Sequence, residues 1–148
     1  MTERVRSFKD LRVWQQALIL VDACYSITKR FPSDERFGLV SQIRRSAVSI
    51  PTNIAEGHGR TGAREYLRFL SIARGSLREL ETLLLIACRQ ELLATATQVE
   101  LLRQIDDIAR MLHGLTRRIA ASTRSGTPTV SNRPPSPPVS RDPETGDR

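Results

Sequence analysis

The chain has 148 residues and a formal net charge of +7, from 23 basic and 16 acidic residues. This length suits one domain with a real core, and no apolar run approaches the ~18 residues that a membrane span needs. The first residues are charged and lack the apolar segment of a secretory signal, so the sequence predicts a soluble, cytoplasmic protein without a membrane partner.

Four segments repeat apolar residues every three or four positions, which predicts four amphipathic helices. The first apolar stripe is Leu11, Trp14, Leu18, Val21, Tyr25 and Thr28. The second is Val40, Ile43, Ala47, Ile50, Ile54 and Gly57. The third is Tyr66, Leu70, Ala73, Leu77, Leu80, Leu84 and Ala87. The fourth is Leu101, Ile105, Ile108, Leu112, Leu115 and Ile119. No segment alternates like a half-buried strand, so the predicted fold class is all-α.

Short breaks separate these segments, which predicts an antiparallel up-down-up-down four-helix bundle over residues 1–122. The run Phe31 to Asp34 is expected to end the first helix and to cap the second. Thr61 is a predicted cap for the third helix. The run Thr95 to Gln98 fits a capping box for the fourth.

The composition changes after Ser122. Six of the eight prolines lie beyond it, together with two valines and no Leu, Ile, Met or aromatic residue. Such a segment buries too little apolar surface to offset its chain entropy. The sequence therefore predicts a disordered Pro-, Ser- and Arg-rich tail at residues 123–148. The run PPSPP leaves open a polyproline ligand for a partner.

No motif indicates catalysis, a metal or a cofactor, so the sequence predicts a protein that is not an enzyme. Gly57-x-Gly59-x-x-Gly62 matches a dinucleotide-binding fingerprint, but that motif requires a preceding strand. Neither His58 nor His113 has an acidic residue three positions earlier, as helical-bundle metal sites require. Two cysteines in apolar patterns suit buried thiols without metal-ligand spacing.

Arginines are the remaining functional signal. Almost all basic residues are Arg, whose planar guanidinium suits phosphate, and the first 122 residues carry +6 of the net charge. Residues 60, 64 and 68 recur every four positions, so they are predicted to line one face across the turn into the third helix. The candidate nucleic-acid-binding residues are Arg44, Arg45, Arg60, Arg64, Arg68 and Arg78. The alternative is a solvated face balanced by nearby acidic residues.

A polar stripe runs along the predicted second helix, opposite its apolar face. Its small side chains would let another backbone approach closely, which indicates a subunit interface. The candidate interface residues are Ser46, Ser49, Pro51, Asn53 and Glu56. A plain solvated face is the alternative.

The run from Phe31 to Gly57, with its core Ser-Ile-Pro-Thr-Asn-Ile-Ala-Glu-Gly, closely resembles the bacterial 23S rRNA-intervening sequence protein family. Residues 66–82 resemble that family's third helix, and the likeness spans roughly residues 8–120. The resemblance implies a four-helix bundle that assembles into a ring, a pentamer, with no catalytic residues. The chain is also similar to the accessory variability determinant of diversity-generating retroelements, a pentameric bundle that binds nucleic acid and a reverse transcriptase.

Together these observations predict a non-enzymatic, homo-oligomeric four-helix bundle that binds nucleic acid, RNA above all, through an arginine-rich surface. The alternative function is a protein-interaction scaffold, an accessory subunit that docks a partner such as a reverse transcriptase. In that case nucleic acid is incidental.

Overall fold

The computed structural model describes residues 4–125, and all regular structure within them is helical. The four α-helices are α1 (Arg12–Thr28), α2 (Leu39–Gly59), α3 (Ala63–Arg89) and α4 (Thr95–Arg124). Short 3-10 turns at Phe8–Asp10 and Ser33–Glu35 precede α1 and α2. Each helix packs against its neighbour in sequence, and α1 also packs against α4. The predicted all-α class and antiparallel up-down-up-down bundle are confirmed.

The core lies between the apolar faces of the four helices. The predicted stripes of α2, α3 and α4 are confirmed: their members are buried, apart from the partly buried Tyr66 and Ile119. Full burial of each large side chain contributes roughly 1.5–3 kcal/mol relative to its exposure. Packing of these stripes therefore stabilises helices that would be marginal in isolation.

The predicted stripe of α1 is wrong in register for four of its six members, while Leu11 and Thr28 are buried as predicted. The buried residues of this helix are Val13, Ala17, Leu20, Cys24 and Thr28. Leu18 and Tyr25, which belong to the predicted stripe, are each 38% exposed. The helix carries apolar residues on two faces, so periodicity alone does not select the inner one. The face that is buried includes Ala17 and Cys24, whose small side chains fit a close helix contact.

The predicted helix caps are also wrong. The carboxylate of Glu35 accepts a hydrogen bond from the Leu39 backbone N–H at 3.1 Å, so Glu35 caps α2. Gly62 is the N-cap of α3, with φ near +90°, a conformation that glycine adopts readily. Ala94 precedes α4 without a side-chain cap bond, which places Thr95 inside the helix.

The closest helix pair is α2 with α3, because small residues line the contact. A Cβ atom added to Gly57 would lie 2.8 Å from the Cβ of Phe69, closer than real Cβ atoms approach. Further along, the hydroxyls of Ser49 and Ser76 share a hydrogen bond of 2.8 Å. Because the residues at these positions are small, the two helices pack closely together.

The last helix extends through Arg124, two residues past the predicted boundary between bundle and tail. The remainder of the predicted tail, from residue 126 to residue 148, lies outside the described residues. No helix in residues 4–125 combines the length and the apolar content needed to cross a membrane.

Candidate nucleic-acid interface

The antiparallel topology brings the start of α1, the end of α2, the start of α3 and the end of α4 to one end of the bundle. The rings of His58 and Tyr66 meet edge to face at 5.8 Å across the α2–α3 junction. Burial raises the pKa of Tyr66 and the charge of Arg118 opposes that rise, which places α4 beside the same junction. We name residues 4–12, 56–68 and 114–125 the basic end.

Charge is distributed very unevenly between this end and the rest of the bundle. The basic end contains ten basic and three acidic residues, a net charge of +7. Residues 13–55 and 69–113 contain ten basic and nine acidic residues, a net charge of +1. A concentration of one sign on one surface raises the local potential and attracts polyanions.

The three acidic residues of the basic end already have partners. Glu56 pairs with Arg60 at 2.7 Å, and Glu65 pairs with Arg68 at 3.5 Å. Asp10 accepts hydrogen bonds from two backbone N–H groups of the segment before it, both at 3.0 Å. These contacts are solvent-exposed and therefore weak, so a phosphate can compete for both arginines.

Two of the predicted arginines are held over one aromatic ring. The guanidinium carbons of Arg60 and Arg68 lie 5.1 Å and 4.8 Å from the centroid of Phe69. The ring itself is 6% exposed, so it is a fixed support in the α2–α3 contact. Cation–π attraction and packing reduce the freedom of both side chains, which lowers the entropy lost when they bind a phosphate.

The structure brings only part of the predicted arginine set together. Arg60, Arg64 and Arg68 lie at the basic end, and the other three lie outside it. Arg44 donates to the Thr28 hydroxyl at 2.9 Å and also lies 4.5 Å over the ring of Tyr25. Arg78 pairs with Glu81 at 2.6 Å, and Arg45 is an exposed residue of α2.

Sequence reasoning missed most basic residues of this end. Helical spacing identifies residues 60, 64 and 68 because they are close along the chain. The others come from segments that meet only in the folded bundle: Arg4, Arg6, Lys9, Arg12, Arg117, Arg118 and Arg124. The predicted antiparallel topology was the signal that could have grouped them.

The candidate interface residues do not share one outward surface: Ser49 bonds to Ser76 of α3 in the same chain, and Pro51 lines a groove between α1 and α2. Ser46 is 2% exposed, and Pro51 is also buried. The amide of Asn53 donates to the backbone oxygen of Ser49 at 2.8 Å and to its hydroxyl at 2.9 Å. Glu56 is the exposed member of the set. A subunit interface at these positions stays a prediction.

A different surface of α1 and α2 is apolar and partly open. The shallow groove between the two helices has a volume of about 240 Å³. Its lining is Trp14, Leu18, Val21, Val48, Pro51 and Thr52. Three of these residues belong to the stripe that the sequence predicts for α1. These three residues form an apolar surface beside the core, whereas Leu11 and Thr28 of the same stripe are buried.

Burial makes Cys24 a poor nucleophile. Desolvation raises the pKa of its thiol to about 12, and the thiolate is the reactive form. Cys88 is partly buried, and neither cysteine forms a disulfide. Residues 4–125 contain no group of three His, Cys, Asp or Glu side chains that could hold a metal ion.

Comparison with known proteins places this fold in a family. The family model described as the 23S rRNA-intervening sequence protein matches residues 9–114. The chain belongs to this family. Its fold is similar to the crystal structure of a protein of unknown function from the S23 ribosomal protein family of Bacteroides thetaiotaomicron, with a TM-score of 0.64 and 21% identity. That alignment covers 70% of this chain and 97% of the other. No curated protein matches the sequence.

Proposed function

We propose that this family member is a non-enzymatic, homo-oligomeric, cytoplasmic module that binds nucleic acid, and RNA in particular, at its basic end. One observation carries the proposal: the bundle topology concentrates a net charge of +7 in three short segments, and the remaining described residues carry +1. Phosphate is the group that an arginine cluster recognises best.

The proposal requires a salt-dependent interaction. Each phosphate that an arginine neutralises releases condensed counterions, so affinity falls steeply as the salt concentration rises. Arg60 and Arg68 are preordered over Phe69. Arg64 lies between them in sequence, one helical turn before Arg68 in α3, whereas Arg60 is the C-cap residue of α2. These three residues are the centre of the proposed phosphate-binding surface.

The test compares two triple variants that change the net charge equally. One reverses Arg64, Arg117 and Arg118 to Glu, and the other reverses Arg45, Arg74 and Arg89 to Glu outside the basic end. Fluorescence anisotropy with a labelled single-stranded RNA at low salt measures affinity, and circular dichroism checks helicity. We expect loss of binding in the first variant and a small change in the second. Equal losses in both variants would refute the location.

We propose further that the chain assembles with copies of itself, as a ring, through the apolar α1–α2 groove. Leu18 and Val48 are 38% and 40% exposed, and a second copy packed on the groove would remove this apolar area from water.

Charged side chains in the groove should oppose this assembly. We expect the variant Leu18→Glu with Val48→Glu to have a smaller mass by light scattering than the control Ile72→Glu with Leu85→Glu. Unchanged mass would exclude the groove.

A second candidate function, a scaffold that docks a partner protein such as a reverse transcriptase, is favoured by Phe37. Its side chain is 89% exposed, in a turn held by hydrogen bonds from Gly38 to Glu35 O and from Leu39 to the Glu35 carboxylate. An exposed aromatic residue on an ordered turn is typical of protein–protein interfaces. A partner captured after nuclease treatment at high salt, and lost in Phe37→Ala, would support this function.

A further inference from the structure

A groove at the basic end has the chemistry of a nucleotide site. It runs between the start of α1 and the last turns of α4 and has a volume of about 480 Å³. That volume lies within the range of sites that hold small organic ligands, roughly 300–1,000 Å³. Arg12, Arg110 and Arg118 line it together with Asp10, and Arg110 also pairs with Asp107.

The remaining lining of the groove is mostly apolar. Leu11, Val13 and Leu115 are core residues whose outer edges reach the groove, and Met111 adds a partly buried thioether side chain. An adjoining depression shares Arg12, Arg110 and Met111 with it and extends towards Gln16. Apolar walls between guanidinium groups suit a ligand that has a flat apolar body attached to anionic groups.

Gly114 keeps the groove open on the α4 side. A Cβ atom built at this position would meet only the Arg118 guanidinium, at 3.9 Å, which is an ordinary contact. Packing therefore does not exclude a side chain here, although a glycine inside a helix costs about 1 kcal/mol relative to alanine. A larger residue would occupy the groove without disturbing the core.

We propose that this groove receives one unpaired base of a single-stranded RNA, with Arg12 and Arg118 on the phosphates beside it. The inference rests on the proposed function and adds a preference for unpaired nucleotides. A base inside a duplex has both faces stacked, so only an unpaired base can place its face against Met111 and Leu115. Because the groove lies at the basic end, whose net charge is +7, a ligand with several phosphates is favoured over one with a single carboxylate.

The test fills the groove without changing charge. Gly114→Leu places an aliphatic side chain in it, and Gly75→Leu is the matched control, because a side chain at Gly75 in α3 meets open space. Three ligands are compared by anisotropy or competition: a single-stranded RNA, a blunt RNA duplex and inorganic polyphosphate. Thermal unfolding confirms that both variants fold. Met111→Asn makes the lining polar and is a second, independent variant.

We expect Gly114→Leu to weaken the binding of single-stranded RNA about tenfold, because one base no longer buries an apolar face in the groove. Duplex and polyphosphate binding should be unchanged, because these ligands use only the charged surface. Met111→Asn should act in the same direction, and Gly75→Leu should match the wild type.

Unchanged single-strand affinity in both groove variants would overturn the base site and leave the proposed function intact. A loss that is equal for all three ligands would also overturn it, because the groove would then bind phosphate alone. A wild-type protein that binds none of the three ligands would instead refute the proposed function itself.

Discussion

The basic end and the rest of the described bundle contain the same number of basic residues, ten each, and differ in their acidic residues, three against nine. Outside the basic end, the numbers of acidic and basic residues nearly match, and some arginines form salt bridges with acidic neighbours. Arg103 contacts both Glu100 and Asp107, and Arg110 contacts Asp107. The comparison teaches that an arginine-rich composition does not locate a polyanion site. The proposed site lies where acidic residues are few.

The two regions also differ in how their charges relate to helix ends. Arg124 lies in the last turn of α4, where the helix dipole favours cations. Part of the basic end is therefore explained by helix stability. That contribution applies to one helix terminus, and it does not account for the basic residues in the segment before α1 or at the start of α3.

The largest effect on RNA affinity is expected when positive charge is moved away from the basic end while the net charge of the protein stays the same. A variant with Arg117→Gln and Arg118→Gln at the basic end, and Glu79→Gln and Asp106→Asn outside it, keeps a net charge of +7. We expect RNA affinity to fall by roughly 10- to 100-fold at low salt, because two phosphate contacts are lost. Fluorescence anisotropy with labelled RNA measures this affinity. Wild-type affinity would show that total charge, and not its location, governs binding.

A smaller effect is expected from the α2–α3 contact that supports Arg60 and Arg68. Gly57→Ala forces the helices apart, whereas Gly59→Ala meets open space in the same helix. Overpacking costs about 1–3 kcal/mol, so the two variants should differ in unfolding free energy by about that amount. Urea denaturation measures the difference. Equal stabilities would mean that the contact relaxes without cost.

Neutralising one arginine of the basic end should weaken the salt dependence of RNA binding only slightly. Arg64→Gln removes one proposed phosphate contact, so the slope of log affinity against log salt should become shallower by about 1. Arg74→Gln, outside the basic end, should leave that slope unchanged. Titrations at several salt concentrations measure both. A slope that changes equally in the two variants would contradict the separation of the two regions.

The smallest effect concerns the opposite end of the bundle. Glu91 has a φ of 60° at the end of α3, where the backbone N–H of Leu92 donates to Ala87 O at 3.0 Å in a Schellman-type turn. Glycine is the usual residue in this left-handed position. We expect Glu91→Gly to raise stability by up to about 1 kcal/mol and to leave RNA affinity unchanged. Thermal unfolding and anisotropy check both statements.

Local spacing in the sequence determined much of the fold. The stripes of α2, α3 and α4 could be predicted because apolar residues recur at spacings of three and four along each helix, and those residues are the buried ones. The same local spacing placed Arg60, Arg64 and Arg68 together. The α1 register failed because that helix has apolar residues on two faces, and the helix caps failed because Glu35 and Gly62 serve in place of the predicted polar residues.

Only the tertiary structure decided which charges share a surface and which apolar stripe of α1 is buried. Arg12 and Arg118 line one groove although they lie near opposite ends of the described chain. The field of a surface depends on distances in space, and sequence spacing reports those distances only within a few helical turns. The buried face of α1 was likewise selected by the shapes of α2 and α4, which its own sequence does not contain.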